Sequence, residues 1–461
     1  MATATGTSSG RGPVLVAAAA TAAAAGLVAH DIGAKSLWYD EAFTVGLVDR
    51  PLGDALWRIG NWELIQSPYY VAFLAWHELG SSEAFLRLLS AGFAVTTVPV
   101  VFALGRRLAD PWTGAVAAAV VAGHSLVVQW GQQLRAYSLA TLLVALATLL
   151  LVRAVERPTT GRSVAYAAVA ALAAYAHVVA ALVVVAHALS LVVLRPVPWR
   201  VVKVAALTGA VLVAPLAWFV LTRQGDPLDH IGEPSGPELV STLADIAGGG
   251  TRHLVVLGGL AVVGAVVAAG VTRRRPGSPE AWRAALPVLW LLVPVVAVVG
   301  STYTVKPLLL ARYLVVVVPA LALLVAVAVR RLPRAVAAVA LVAVAVVSLQ
   351  GVADWYEVGS FEDWRTAVAS VEGSARPGDQ VVVLPGRAVA AVRYYGPELR
   401  TLSPGNLGAA TGDRLWLIDR LSQRGPGPSA PPGFDERLAE GYVLVEERRF
   451  TNLDVRLYER P

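Results

Sequence analysis

Apolar runs separated by short basic turns occupy the first three quarters of the chain. They fall at about 14–33, 87–105, 112–130, 137–154, 163–176, 178–194, 201–221, 253–271, 284–301, 313–329 and 335–350. Most approach the roughly 20 residues that a helix needs to cross a hydrocarbon core. The pattern therefore predicts about eleven spans. The first run follows a polar stretch, Met1 to Pro13, and resembles a signal-peptide core. With so many spans behind it, it reads as a retained first helix. A further apolar stretch, Ser67 to Gly80, is short and contains Trp76, His77 and Glu78. Counting it as a span would invert the loop holding Arg106 and Arg107, so it is expected to lie as an interfacial helix on the outer face.

After Gln350 the pattern changes. Short β-like runs appear at Gln380 to Leu384, Leu415 to Ile418, Tyr442 to Glu446 and Leu453 to Tyr458, with a helical stretch at Asp363 to Val371 and frequent Pro and Gly between them. Such a pattern predicts a small α/β domain. The expected architecture is an all-α polytopic membrane protein over 1–351, with a long first outer loop at 34–86, followed by a soluble α/β domain over 352–461.

Composition fits this division. The 461 residues are 56% hydrophobic and only 15% charged, against about 25% charged in ordinary soluble domains. The mean hydropathy is +0.61. There is no cysteine, which excludes disulfides and thiolate metal sites. The net charge of +6 does not point to nucleic acid, because its distribution is uneven. From 352 onward there are 13 Lys+Arg and 16 Asp+Glu, so the basic excess lies in the membrane part. There the basic residues gather in alternate loops: Arg106-Arg107; Arg153, Arg157 and Arg162; Arg195, Arg200 and Lys203; Arg273-Arg274-Arg275 with Arg283; and Arg330, Arg331 and Arg334. The positive-inside rule makes that side, and the N-terminus, cytoplasmic. An odd number of spans then puts the C-terminal domain outside. The expected location is the plasma membrane, multi-pass, with membrane lipids as neighbours and no nucleic-acid partner.

On the outer side lie three loops. One spans 34–86 and is rich in Trp and Tyr; one spans about 222–252 and holds Asp226, Asp229, His230 and Glu233; and one runs from Ser301 to Arg312. Asp40 and Glu41 follow the first helix, next to Trp38 and Tyr39. Arg87, Arg135, Tyr137, His177, Lys306, Arg312 and Tyr313 all fall where outer loops meet spans. Taken singly, such residues read as solvated acids, belt aromatics or cations snorkelling to headgroups. Together they place several cations on the side where positive-inside bias disfavours them, beside a carboxylate pair. A guanidinium binds phosphate through paired hydrogen bonds, so the set suits a negatively charged, lipid-linked substrate. In the tail, Tyr394-Tyr395 reads more readily as core aromatics than as a sugar platform.

The motifs also resemble a known family. Leu37-Trp38-Tyr39-Asp40-Glu41-Ala42 resembles the first-loop motif of the GT-C fold glycosyltransferases, in the branch of protein O-mannosyltransferases and bacterial aminoarabinose transferases (glycosyltransferase family 39-like). In the same order, Gln66-Ser67-Pro68-Tyr69-Tyr70 resembles that family's His-Pro-Pro-Leu-Tyr, and Arg87-Leu88-Leu89-Ser90 its Arg-Leu-Pro-Ser. Gln132-Gln133-Leu134-Arg135-Ala136-Tyr137 resembles Gln-Glu-Ala-Arg-Met-Tyr, with Gln133 where an acid is usual. Tyr175-Ala176-His177 resembles a Tyr-x-His pair, and Arg312-Tyr313 an Arg-Tyr before a late span. The resemblance implies transfer of a mannose- or pentose-like sugar from a polyprenyl-phosphate donor to a glycan, lipid or protein acceptor on the outer face. It implies Asp40 as general base, with Glu41 orienting the acceptor or binding a divalent metal. Arg87, Arg135, Lys306 and Arg312 would hold the donor phosphate, and Tyr137, His177 and Tyr313 would contact substrate. No cofactor is required by the sequence, and Gln133 weakens any metal proposal that needs an acid there.

Other readings compete. A flippase or transporter of lipid-linked glycans expects charges partway along the spans, and most charges here lie at span ends. A glycan polymerase or ligase usually carries its main catalytic loop late in the chain, whereas the strongest motif here is early. A non-catalytic scaffold for the tail leaves the ordered motifs unexplained.

Overall fold

A computed structural model describes residues 11–223, 231–421 and 430–461. Asp226, Asp229 and His230 of the expected second outer loop lie outside the described residues. The chain divides into two compact units. The first holds the described residues up to His30, Trp62–Ala72 and Arg87–Glu357; the second holds Asp31–Asn61, Phe73–Leu86 and Val358–Pro461.

The first unit is a helical bundle. Among the described residues, eight helices are long and apolar enough to cross a membrane: Arg11–Ala29, Glu83–Leu108 (which begins in the second unit), Tyr137–Glu156, Trp199–Thr222, Thr251–Arg274, Pro279–Thr304, Ala311–Val329 and Arg334–Glu357. A ninth is the pair Pro111–Ala122 and Ser125–Gly131, bent by 58°. The other two expected spans are helices of 17 and 12 residues, Thr160–Ala176 and Ala180–Leu191. At 1.5 Å per residue they reach only about 26 and 18 Å, because the chain breaks at His177 and again after Leu191. The stretch at 67–80 is likewise an 11-residue helix, Ser67–His77, too short to cross. The protein is a multi-pass membrane protein.

Ion pairs gather the basic loops at one end of the bundle. Glu156 accepts from Arg107 at 2.7 Å and from Arg283 at 3.4 Å, and Arg330 lies 3.7 Å from Asp110. Some polar groups inside the bundle satisfy one another. His187 lies between Thr148 Oγ1 at 2.9 Å and the Tyr166 hydroxyl at 3.2 Å.

The second unit contains a five-stranded sheet in the order β2-β1-β3-β5-β4, with β1 Gln380–Leu384, β2 Thr401–Leu402, β3 Arg414–Arg420, β4 Val443–Phe450 and β5 Leu453–Glu459. β1 pairs in parallel with β2 and β3, and the β4–β5 hairpin runs antiparallel. Alternate residues fill two cores, one on each face. Val381, Val383, Trp416, Ile418, Val455 and Leu457 pack with helices Trp364–Glu372 and Val389–Tyr395. Val382, Leu384, Leu415 and Leu417 pack with Phe434 and Leu438. The strands anticipated from the short β-like runs are all present, and β2 adds a two-residue edge. The helix Tyr39–Val48, from the expected outer loop, belongs to this unit. Its Ala42 is part of the first core, and a Cβ on its Gly46 would lie 2.8 Å from the Ala390 methyl.

Candidate active site

The carboxylate pair sits in the first turn of the helix Tyr39–Val48. Asp40 is half-buried, while Glu41 is fully buried. Helix starts leave backbone N–H groups without intrahelical partners. Here one is met locally, since Glu41 Oε2 accepts from Trp38 N–H at 3.4 Å. The next is met from far along the chain: Glu362 Oε2 accepts from Tyr39 N–H at 2.8 Å. The same carboxylate accepts from Trp364 Nε1 at 2.7 Å and from Arg420 Nε at 2.5 Å. The Arg420 guanidinium also lies 4.6 Å from the centre of the Tyr39 ring. Glu362, 3% exposed, thus caps the turn that carries Asp40.

Tyr395 fixes the approach to that turn. Its hydroxyl accepts from Leu37 N–H at 2.7 Å and donates to Glu83, which also pairs with Arg365. Burial, and then the hydrogen bond to Glu83, raise the Tyr395 hydroxyl above the ordinary tyrosine range. Tyr394 donates to the Ser81 carbonyl at 2.7 Å, and the two rings meet edge-on at 4.9 Å. Both hydroxyls are engaged in packing the unit together.

In the first unit the other motifs converge. Tyr69 and Ser90 share a hydrogen bond of 2.8 Å, joining the 66–70 and 87–90 segments. Gln66 N–H donates to the Tyr175 carbonyl at 2.6 Å, joining 66–70 to 175–177, and adopts a positive φ of 74°. The ring of His177 lies 5.4 Å from Tyr137 and 5.1 Å from Tyr313, and Tyr137 lies 4.4 Å from Trp130. Arg135 and Arg312 are close enough for their charges to act on His177. The Arg312 guanidinium lies 5.6 Å from the centre of the Tyr313 ring. His177 Nδ1 accepts from Val179 N–H at 3.3 Å, where the chain turns between two helices. Arg135 is 8% exposed and Arg87 is 2% exposed. Lys306 is half-buried on the loop after Pro279–Thr304, where its N–H donates to Ser301 O at 2.7 Å.

The loop carrying Arg135 is pinned by its neighbour. Gln132 donates to the Val28 and His30 carbonyls at 3.0 and 2.6 Å and accepts from Trp355 Nε1 at 2.7 Å. One side chain so brackets the ends of three helices. Gly131 permits this approach, since a Cβ there would lie 2.9 Å from Val28 Cγ1 and 3.0 Å from the Ala94 methyl. Gln133 differs. It is 3% exposed, and neither its amide oxygen nor its nitrogen has a hydrogen-bond partner among the described residues. A buried amide so placed is poised for a polar ligand or water. Sequence reasoning missed Glu362 and the bracketing role of Gln132. The first carries no local signal, and the second was visible only as part of a motif. Among the described residues no group of three His, Asp or Glu is placed to hold a metal ion.

Comparison with known proteins adds to this geometry. The family described as dolichyl-phosphate-mannose-protein mannosyltransferase matches residues 67–220. No curated protein matched the chain by sequence. Among solved structures, ArnT from Cupriavidus metallidurans in the apo state aligns with a TM-score of 0.61 at 13% identity, covering 96% of this chain and 97% of that one. The same protein bound to undecaprenyl phosphate aligns with a TM-score of 0.61 at 15% identity, covering 96% and 97%. The archaeal oligosaccharyltransferase AglB from Archaeoglobus fulgidus, in complex with an inhibitory peptide and a dolichol-phosphate, aligns with a TM-score of 0.58 at 9% identity, covering 88% of this chain and 69% of that one. The fold is that of the GT-C glycosyltransferases. The family match covers residues 67–220, about a third of the chain, and lies within the part that shares this fold.

Proposed function

We propose that the chain transfers a neutral mannose- or pentose-like sugar from a polyprenyl-phosphate donor to an acceptor hydroxyl on the outer face of the plasma membrane. The observation that carries this reading is the convergence of Arg135, Arg312, His177, Tyr137 and Tyr313 at one place in the bundle. Cations collected at a membrane-embedded site mark functional positions, and their guanidinium groups suit a phosphate leaving group. Arg87, Arg135, Arg312 and Lys306 are assigned to the donor phosphate, whose developing negative charge they stabilise as the bond to the sugar breaks. The phosphate is already a stable anion when it leaves, so no general acid is assigned.

Asp40 is assigned as the general base. Its carboxylate takes the proton from the acceptor hydroxyl as that oxygen attacks the anomeric carbon. Glu41 is assigned a positioning role, because its carboxylate closes the turn that carries Asp40. The order of the motifs along the chain assigns Asp40 and the cations to one reaction. Gln133 favours hydroxyl-bearing sugars, since its amide offers a donor and an acceptor and no charge. Most charges lie at span ends rather than partway along the spans, which favours surface chemistry over passage of a charged substrate.

The test is transfer of radiolabelled sugar from polyprenyl-phosphate mannose or arabinose by purified protein, comparing wild type with Asp40→Asn. Transfer by the wild type with a loss of ~10²–10⁴-fold in the variant supports the assignment. An Asp40→Asn protein that transfers at the wild-type rate removes Asp40 as base. A wild type inert with each donor that instead moves lipid-linked glycan across vesicles establishes the flippase reading.

A further inference from the structure

At the basic end of the bundle, among the loops collected by Glu156, lies a cavity of about 540 Å³. Its walls come from Thr251–Arg274, Pro279–Thr304 and Ala311–Val329 and from the turn after Leu108. The packing explains why it opens there. A Cβ on Gly264 would lie 2.1 Å from the Leu324 carbonyl oxygen, so two helices touch through backbone at that level. Beyond it, Val267, Ala268 and Val271 face Leu323 and Val327 across open space. The turn Arg275-Pro276-Gly277, with Gly277 at φ 79°, then carries the chain away.

The cavity has an apolar interior and a cationic mouth. Arg274, Arg275, Arg283 and Arg331 line it, against one carboxylate, Glu280. Positive-inside bias accounts for basic loops, but not for guanidinium groups gathered on the wall of one cavity between helices. Arg283 adds an independent sign. Its terminal nitrogen pairs with Glu156, while its Nε is buried without a hydrogen-bond partner among the described residues. An apolar slot opening onto guanidinium groups matches a molecule with acyl chains and an anionic phosphate head. Basic pockets between membrane helices bind such headgroups, and paired guanidinium N–H groups suit a phosphodiester.

We propose that this cavity binds an anionic phospholipid, with its phosphate at Arg274, Arg275 and Arg331 and an acyl chain along Val267, Val271 and Val327. The site is separate from the transfer residues, so the proposal stands or falls independently of the sugar-transfer reading.

The test uses delipidated full-length protein and native mass spectrometry, with phosphatidylglycerol, phosphatidylcholine or inorganic phosphate as probe. Phosphatidylglycerol is expected to bind, and the triple variant Arg274→Gln/Arg275→Gln/Arg331→Gln to bind it on the order of 100-fold more weakly. Arg283 is left intact to preserve its pair with Glu156. A second measurement needs no variant: a diazirine-bearing phosphatidylglycerol should crosslink wild type within 267–275 and 323–331. Equal binding of phosphatidylcholine overturns the proposal. So does displacement by inorganic phosphate as effective as by lipid, which would mark a free-phosphate site. Crosslinks scattered over the bundle with none in those two segments also overturn it.

Discussion

Replacing Glu362 tests how the turn bearing Asp40 is held. Its carboxylate accepts from Tyr39 N–H at 2.8 Å, Trp364 Nε1 at 2.7 Å and Arg420 Nε at 2.5 Å. Glu362→Ala strands all three donors. Removing one member of a buried ion pair costs roughly 3–5 kcal/mol. The side chain of Arg420 is 26% exposed and that of Glu362 is 4% exposed, so water recovers part of the arginine's solvation. The lower end, about 3 kcal/mol, is therefore expected. Against a domain stability of about 5–15 kcal/mol this is large. Part of the cost falls on the helix start, because an anion at a helix N-terminus also interacts with the helix dipole. Hydrogen exchange is the direct assay. Amides of residues 39–44 should lose protection by roughly 100-fold, since each 1.4 kcal/mol is about tenfold. Sugar transfer should fall with them, although Glu362 takes no part in the chemistry. Glu362→Gln retains an acceptor for Tyr39 and should lose about half as much. Combining it with Arg420→Gln should cost less than the sum of the two single changes. Exchange at 39–44 unchanged in Glu362→Ala would refute the capping argument, whatever happened to activity.

Other consequences are direct. Gly264→Leu should lower the thermal unfolding midpoint in detergent by an amount equivalent to ~3 kcal/mol or more, because its Cβ would meet the Leu324 carbonyl; an unchanged midpoint would show that the two helices part freely. Gln133→Glu should raise KM for a neutral-sugar donor by roughly tenfold by adding an anion in the loop that carries Arg135, and an unaltered KM would place Gln133 away from the donor. Burial lifts the Asp245 carboxyl from 3.8 to about 6. A raised acid binds its proton more tightly in the folded state, so it lowers stability as pH rises through that window. Asp245→Asn should therefore stabilise the protein at pH 7.5 and change little at pH 4; equal effects at both would exclude that titration. Single cysteines at Asp49 and Arg400 should react with an impermeant thiol reagent from outside intact cells, and labelling only after lysis would reverse the proposed orientation. Both positions are exposed.

The sequence made much of the fold legible because it is written in local patterns. Apolar runs mark helices, and short β-like runs bounded by Pro and Gly marked the strands of the tail to within a few residues. The break at His177 already separates the expected runs 163–176 and 178–194; the helices there are Thr160–Ala176 and Ala180–Leu191, so only the second is shorter than expected. The motifs of the first unit were legible as an ordered set, and side chains now join them: Tyr69 to Ser90, Gln66 to Tyr175, and His177 to Tyr137 and Tyr313. What stayed hidden was non-local. Tyr39 and Glu362 are 323 positions apart, and no periodicity spans such a gap. An acid in the tail reads from sequence as a surface charge. Only folding of the outer-loop segments with the tail into one unit turns it into a cap.

The difference between Gln132 and Gln133 bears on how the site handles charge. Adjacent, identical side chains in one motif have opposite fates: Gln132 is used up as a structural bracket, while Gln133 is buried with its amide unspent. An acid at 133 would bring negative charge into the loop of Arg135 and weaken its hold on a phosphate by direct competition. An amide at the same place leaves that cationic field at full strength and still offers two hydrogen-bonding groups to a sugar. The acid that the proposed reaction needs is carried elsewhere, on a helix of the second unit whose first turn is capped by Glu362 and Glu41. Assigning the proposed base and the proposed phosphate cations to different segments of the chain separates the two roles. It also predicts that Glu at 133 and Asn at 40 will fail differently, the first in donor affinity and the second in turnover.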